Sequence, residues 1–387
     1  MNQRQTRLLN KVLSQPTAPF REQLVTRVAV DELERREIPH FIDPAGNIVI
    51  GVASARDYRA LLRDPDQEPL RILAAHMDHP GFHGKAWQDN RRLGITWHGG
   101  SPVKHLGGAR VWLANDDGVF GFGRIRKPTI HKSGYYMESA EIQFDDPSLV
   151  RRFRAREIFG GLAFRAPVWR SGKRVYTKAA DDLVGVFAVL ETAFAAYRRD
   201  RQNAPPFIGL LTRGEEVGFV GAIAHFDLGW LANAKRKSVF VSLEASRTLP
   251  GAIVGKGPIV RLGDRRTVYA ADYLKVLGDV ASRVLPGRFQ QRIMDGGACE
   301  AAAATIWNLP AIGITLPLGN YHNQGFEGGQ DCVAPEGPAP EFVHQDDIDG
   351  LLILCRAFVR PGLPWPDPWK QQKMRLLKNA ARYRKLL

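Results

Sequence analysis

Cysteine is scarce in this chain: Cys299, Cys332 and Cys355 are the only three among 387 residues. An odd set without paired spacing supports neither a disulfide framework nor a cysteine zinc site. It suits a reducing compartment, so a cytoplasmic location is expected. No apolar run approaches the ~20 residues of a membrane-spanning helix. The polar, basic stretch from Met1 to Gln15 has no apolar signal core, and no membrane partner is expected. Acidic residues are outnumbered, 40 Asp and Glu against 54 Lys and Arg, which leaves a net charge of +14. Charge of that size could serve nucleic acid. Zinc-finger, RNA-recognition and helix-turn-helix patterns are all missing, however, so nucleic acid is not expected as a main partner.

What is present is globular. Hydrophobic residues make up 44% and charged residues 24%, enough for a sizeable core. Leu8, Leu9, Val12 and Leu13, then Leu24, Val25, Val28 and Leu33, recur at helical spacing in the first forty or so residues. Asp43-Pro44-Ala45-Gly46-Asn47 reads as a turn before the strand Ile48–Val52, and Arg71–Ala75 as a buried strand running into His76. Between about Gly84 and Gly172 the pattern changes to short, glycine-rich, alternating stretches that predict a small barrel or sandwich. Strands alternate with helices after Thr177, the signature of an α/β sheet. The expected organisation is a catalytic α/β domain over 1–84 and 173–387 with an inserted, small all-β domain over 85–172. A basic tail from Lys370 to Leu387 predicts a helix with one apolar side, dispensable for chemistry.

The ionisable residues cluster at strand ends. His76 and Asp78 follow Arg71–Ala75, Glu215 and Glu216 follow Phe207–Leu211, and Glu244 follows Val239–Leu243. His322 follows Ala311–Leu316, and Asp181-Asp182 precedes an apolar helix beginning at Leu183. In open α/β sheets the carboxyl ends of the strands face a common crevice. So many carboxylates in one crevice need positive charge among them. Two histidines with several carboxylates suit zinc, cobalt or manganese better than calcium or magnesium. Two divalent ions about 3.5 Å apart need a bridging carboxylate and further ligands on each side. The inventory predicts Asp181 as the bridge, His76 and Glu244 on one ion, and Glu216 and His322 on the other. Glu215 remains as general base. His79, His83, His98, His105 and His131 are read as structural or substrate-facing, apart from the strand-end carboxylates.

At these residues the chain resembles metallopeptidase family forty-two, the tetrahedral and glutamyl aminopeptidases. The matching segments are Asp43-Pro44-Ala45-Gly46-Asn47, Ala75-His76-Met77-Asp78, Ala180-Asp181-Asp182 with Gly185, and Glu215-Glu216-Val217-Gly218 with Gly221-Ala222. They continue through Gly255-Lys256-Gly257-Pro258, Asp295-Gly296-Gly297 and Pro317 before Tyr321-His322. The resemblance implies a zinc-peptidase (phosphorylase/hydrolase-like) mixed sheet, a two-zinc aminopeptidase acting on peptides, and a homo-oligomer. It also implies Asp78 as a catalytic partner of His76 and a cis Asp181–Asp182 peptide. Several positions depart from the family pattern: Glu244 for Asp, His79 for Glu, Leu183 for Arg, and an extra loop from Asn323 to Pro340. Glu300 is a possible helper for the substrate's amine. The alternatives are a related two-metal carboxypeptidase or deacylase, and a non-catalytic binding protein on the same fold.

Overall fold

The computed structural model describes residues 1–65, 68–197 and 206–387. Two amphipathic helices open the chain, α1 (Gln3–Leu13) and α2 (Gln23–Glu34), followed by β1 (His40–Ile42), β2 (Ile48–Ile50), α3 (Ala55–Arg63) and β3 (Leu70–His76). Six strands come next: β4 (Gly81–Trp87), β5 (Arg92–His98), β6 (Arg110–Asn115), β7 (Gly118–Ile130), β8 (Met137–Phe144) and β9 (Phe159–Leu162). The hairpin β10 (Val168–Ser171) and β11 (Arg174–Thr177) leads to α4 (Leu183–Tyr197) and β12 (Phe207–Thr212). Then follow α5 (Val220–Asp227), β13 (Ser238–Arg247), β14 (Ile259–Asp264), α6 (Ala271–Val284), β15 (Gln290–Met294), α7 (Glu300–Ile306) and β16 (Ala311–Leu318). The last elements are β17 (Glu341–His344), α8 (Gln345–Phe358) and α9 (Lys370–Tyr383).

The main sheet is eight-stranded and mixed, in the order β1-β2-β12-β3-β13-β16-β14-β15. Its centre, β12, β3, β13 and β16, is parallel. Every residue of β3, β12 and β16 is buried. Strands covered on both faces read as continuous apolar runs rather than alternating ones, which is how Ile72-Leu73-Ala74-Ala75 and Ile208-Gly209-Leu210-Leu211 stand in the sequence. α4 is apolar nearly all round, with Leu183 through Phe194 buried, as a helix packed between sheet and other helices must be. α1 and α8 cover it.

Strands β4, β5, β8, β7, β6 and β9 close into a barrel with a separate apolar core around Phe82, Ile95, Leu113 and Ile142. The barrel strands run from Gly81 to Leu162. The β10–β11 hairpin pairs instead with β17, in a three-stranded sheet of its own.

Candidate active site

Register brings three of the candidate segments level. Thr212 on β12 pairs with His76 on β3, and Met77 N–H continues the ladder to the Thr212 carbonyl at 2.9 Å. Ser242 on β13 pairs with Ala74, so Glu244, two residues on, lies level with His76. Glu244 is thus inside a strand that runs to Arg247, not at the strand's end as the sequence suggested. Beyond Thr212 the chain turns through Gly214, at φ +61°, into a single helical turn, Glu215–Val217. That left-handed backbone favours glycine.

The side chains converge around Asp181. His76 Nε2 lies 3.4 Å from Asp181 Oδ1, 3.9 Å from Glu244 Oε2 and 3.8 Å from Glu215 Oε2. On the other side His322 Nε2 lies 3.9 Å from Asp181 Oδ2 and 3.1 Å from Glu216 Oε2. The His322–Glu216 contact is an ion-pair distance without hydrogen-bond alignment, because Nε2 has no hydrogen-bond partner among the described residues. The Asp181–Asp182 peptide is cis.

Burial makes this cluster electrostatically costly. The carboxyls of Glu244 and Glu215 are held well above the ordinary carboxylate range, first by burial and then by neighbouring carboxylates. Glu216 is raised too, by burial, against the pull of His322. Burial drives the His76 imidazole toward its neutral form, but Glu215, Asp181 and Asp78 outweigh it and hold its pKa well above the usual value. Among the described residues, Asp181 Oδ1, Glu216 Oε1, Glu244 Oε1 and His322 Nε2 are buried without a hydrogen-bond partner. Buried polar atoms are normally satisfied, and this set asks for a cation. The potential ligand atoms of His76, Asp181 and Glu216 lie within 4.8 Å of one another, as do those of His76, Glu215 and Glu244. The donor set, imidazole plus carboxylate, fits a divalent metal.

Asp78 meets His76 through its carbonyl oxygen and uses its carboxylate chiefly elsewhere. Its carboxylate accepts the N–H groups of Glu215 at 3.0 Å and Glu216 at 3.1 Å, clamping the turn that carries both glutamates. Its Oδ1 is 3.6 Å from His76 Nδ1, too long for a hydrogen bond, whereas the Asp78 carbonyl oxygen is at 3.2 Å. His79 is also closer to the chemistry than its place beside the insert suggested. Its Nδ1 lies 2.7 Å from the Asp181 carbonyl and its Nε2 3.2 Å from Asn323 Oδ1, and burial lowers its pKa to about 4. It therefore braces the Asp181 main chain from behind. Among the other histidines, His83 and His98 pack ring on ring in the barrel at 4.5 Å. Glu300 lies in the buried wall behind Glu215 rather than on the cavity, its carboxyl raised to about 7 chiefly by burial.

Two residues that sequence reasoning missed hold the site together. Glu341, fully buried at the start of β17, accepts N–H groups from Ala180 at 2.7 Å, Asp181 at 3.1 Å and His322 at 2.9 Å. One carboxylate thereby fixes the main chain of both Asp181 and His322. The loop separating it from His322 hides the relation in the sequence. Gly100, on the turn after β5, lies against the His322 ring: a Cβ there would stand 1.9 Å from Nδ1. Gly100→Ala is expected to displace that ring and weaken metal binding by about 10–100-fold, the scale of outer-sphere changes. Chelator competition measures it, and unaltered affinity would show that His322 carries no metal.

A cavity of about 230 Å³ opens on these groups, lined by Glu215, Glu244 and His322 and continuing past Arg247, Arg261 and Met294. A sheet whose strand ends gather a buried cluster of metal-binding carboxylates and imidazoles beside such a cavity defines a metal-dependent hydrolase. The profile of the M42 glutamyl aminopeptidase family matches residues 59–326, more than half of the sequence, and the chain belongs to that family. It is accordingly a metal-dependent aminopeptidase.

Solved structures agree in fold. PhTET1, the TET1 peptidase of Pyrococcus horikoshii seen as a dodecamer, superposes with a TM-score of 0.70 at 18% identity, covering 94% of this chain and 100% of that one. Aminopeptidase APDkam598 of the archaeon Desulfurococcus kamchatkensis gives a TM-score of 0.70 at 20% identity, covering 93% and 96%. An endoglucanase from Thermotoga maritima gives 0.62 at 15%, covering 91% and 96%. No match was found among curated proteins.

Proposed function

We propose that the chain is a two-metal aminopeptidase in which Asp181 bridges two divalent ions. His76 and Glu244 would hold one ion, Glu216 and His322 the other, and Glu215 would serve as general base. The observation that carries this reading is the placement of Asp181, whose Oδ1 faces His76 at 3.4 Å while Oδ2 faces His322 at 3.9 Å. Glu215 is near enough to His76 to be counted among ligands. Asp181 already supplies an oxygen to that side, which frees Glu215 for proton transfer. When bound, such ions polarise the scissile carbonyl and make water a stronger acid. Glu215 takes the proton from the attacking water and returns it to the leaving amine. Asp78 keeps the Glu215 main chain in place, and Glu341 keeps Asp181 and His322 facing each other. The substrate's free α-ammonium is held among the carboxylates. Zinc is the expected metal, with cobalt or manganese also suited to the donors.

The oligomeric TET1 relative supports a homo-oligomer here, and the three free cysteines suit a cytoplasmic setting. The test is metal content by mass spectrometry together with a peptide pair differing only in an N-terminal acetyl group. About two divalent ions per chain, and cleavage of the free peptide alone, are expected. Release of C-terminal residues from the acetylated peptide would support the carboxypeptidase alternative instead.

Arg247, stacked 3.9 Å over the Phe326 ring, and buried Arg261 bring positive charge to one wall of the cavity. A first residue with a carboxylate side chain is therefore expected to be preferred over leucine, by about tenfold on the scale of one charge-assisted hydrogen bond. Comparing kcat/KM for Glu- and Leu-initiated peptides, with Arg247→Ala alongside, measures this. Equal values in both enzymes would remove Arg247 from the specificity site.

A further inference from the structure

Helix α9 has no buried residue, and from Lys373 to Leu387 every residue is exposed. It is tethered at its start, where Trp369 Nε1 donates to Asp272 Oδ1 at 2.6 Å. A 14-residue helix without tertiary packing is marginal in water, so its sequence is informative about what stabilises it.

Leu376, Ala380 and Tyr383 fall at i, i+4, i+7, beside a second row, Met374, Leu377 and Ala381 at i, i+3, i+7. Together they form an apolar side, and Met374, Leu376 and Leu377 are 64%, 67% and 56% exposed. Arg375, Lys378 and Arg382 form a basic row opposite, continued by Lys385 in the terminal turn. Lys370 to Leu387 holds seven basic residues and no acidic one.

A fitting partner must offer apolar volume and negative charge together. Nucleic acid offers the charge but would leave Met374, Leu376 and Leu377 in water. A second copy presenting its own α9 would set basic row against basic row. An anionic lipid surface offers both, through its acyl boundary and its headgroups.

We propose that α9 is a docking helix for an anionic lipid surface. It lies in the interface with its leucines immersed and its basic row among the headgroups. Lys370 and Lys373, which begin the two apolar rows, reach the headgroups by extending their stems, and the half-exposed Trp369 indole sits at the boundary. No helix among the described residues is long and apolar enough to cross a membrane. The expectation of no membrane partner rested on that lack, and a helix lying on the surface does not need a spanning segment.

The test is sedimentation of the metal-loaded full chain with vesicles of phosphatidylcholine alone or mixed equally with phosphatidylglycerol. Binding is expected only to the mixed vesicles and is expected to weaken with salt. The double variant Leu376→Asp/Leu377→Asp should lose at least about tenfold in vesicle affinity while its peptide turnover stays unchanged. Three results would overturn the proposal: no sedimentation with anionic vesicles at low salt; binding indifferent to the leucine pair and matched by RNA; or a change of oligomeric state in the variant without any lipid binding by the parent.

Discussion

Glu215→Gln is expected to keep its metals and lose turnover by about 10²–10⁴-fold, the span over which a positioned general base acts. The substitution preserves shape and removes only the ability to take a proton. The turn around Glu215 is held by its main-chain N–H on Asp78 at 3.0 Å, a bond that the change leaves untouched. The five proposed ligands are unaltered, so metal content should match that of the parent. A structural role for Glu215 would instead lower metal content or thermal stability along with activity. Parallel measurement of kcat and of metal per chain separates the two cases. Full activity in the variant would mean that another group accepts the proton.

Asp181→Ala is expected to be as severe for a different reason. Asp181 serves both halves of the site, so its loss should deplete both ions and reduce turnover by more than about a thousandfold, beyond the loss of a single charge-stabilising donor. The metal-free protein should respond in the opposite direction. Asp181 is among the neighbours that push the Glu244 and Glu341 carboxyls upward. Removing its charge relieves that repulsion. The metal-free variant should therefore melt about 1 °C above the metal-free parent, the shift that ~1 kcal/mol produces in a chain of this size. Calorimetry after chelation reads this directly. A lower melting temperature would show Asp181 to be a structural keystone rather than one of a set of opposed charges assembled for a cation.

Both predictions rest on residues legible in the sequence. His76, Asp181, Glu215, Glu216, Glu244 and His322 stood out because each adjoins an apolar strand or helix whose periodicity is readable, and parallel strands end at one crevice. The supporting residues were not legible in the same way. Gly100 lies on the turn after β5, more than 200 residues from the His322 ring it faces. Glu341 is divided from His322 by the loop from Asn323 to Pro340. His79 was placed with the insert by its position, yet its ring turns back onto Asp181. Asp78 looked like a partner for its near neighbour His76, and its carboxylate is used chiefly 137 residues away at Glu215.

The sequence by itself determined which chemistry is available: an α/β sheet, a β-rich insert, and a set of imidazoles and carboxylates at strand ends that cannot share a crevice without a cation. These are local properties, carried by periodicity and residue type. Only the tertiary structure decided how that chemistry is held. The β3–β12–β13 register sets His76, the Glu215 turn and Glu244 side by side. The β11–β17 pairing brings Glu341 under both Asp181 and His322, and closure of the barrel delivers Gly100 to the His322 ring. Hydrogen bonds and close contacts of that kind depend on chain segments far apart in sequence, and their geometry exists only once the strands have paired.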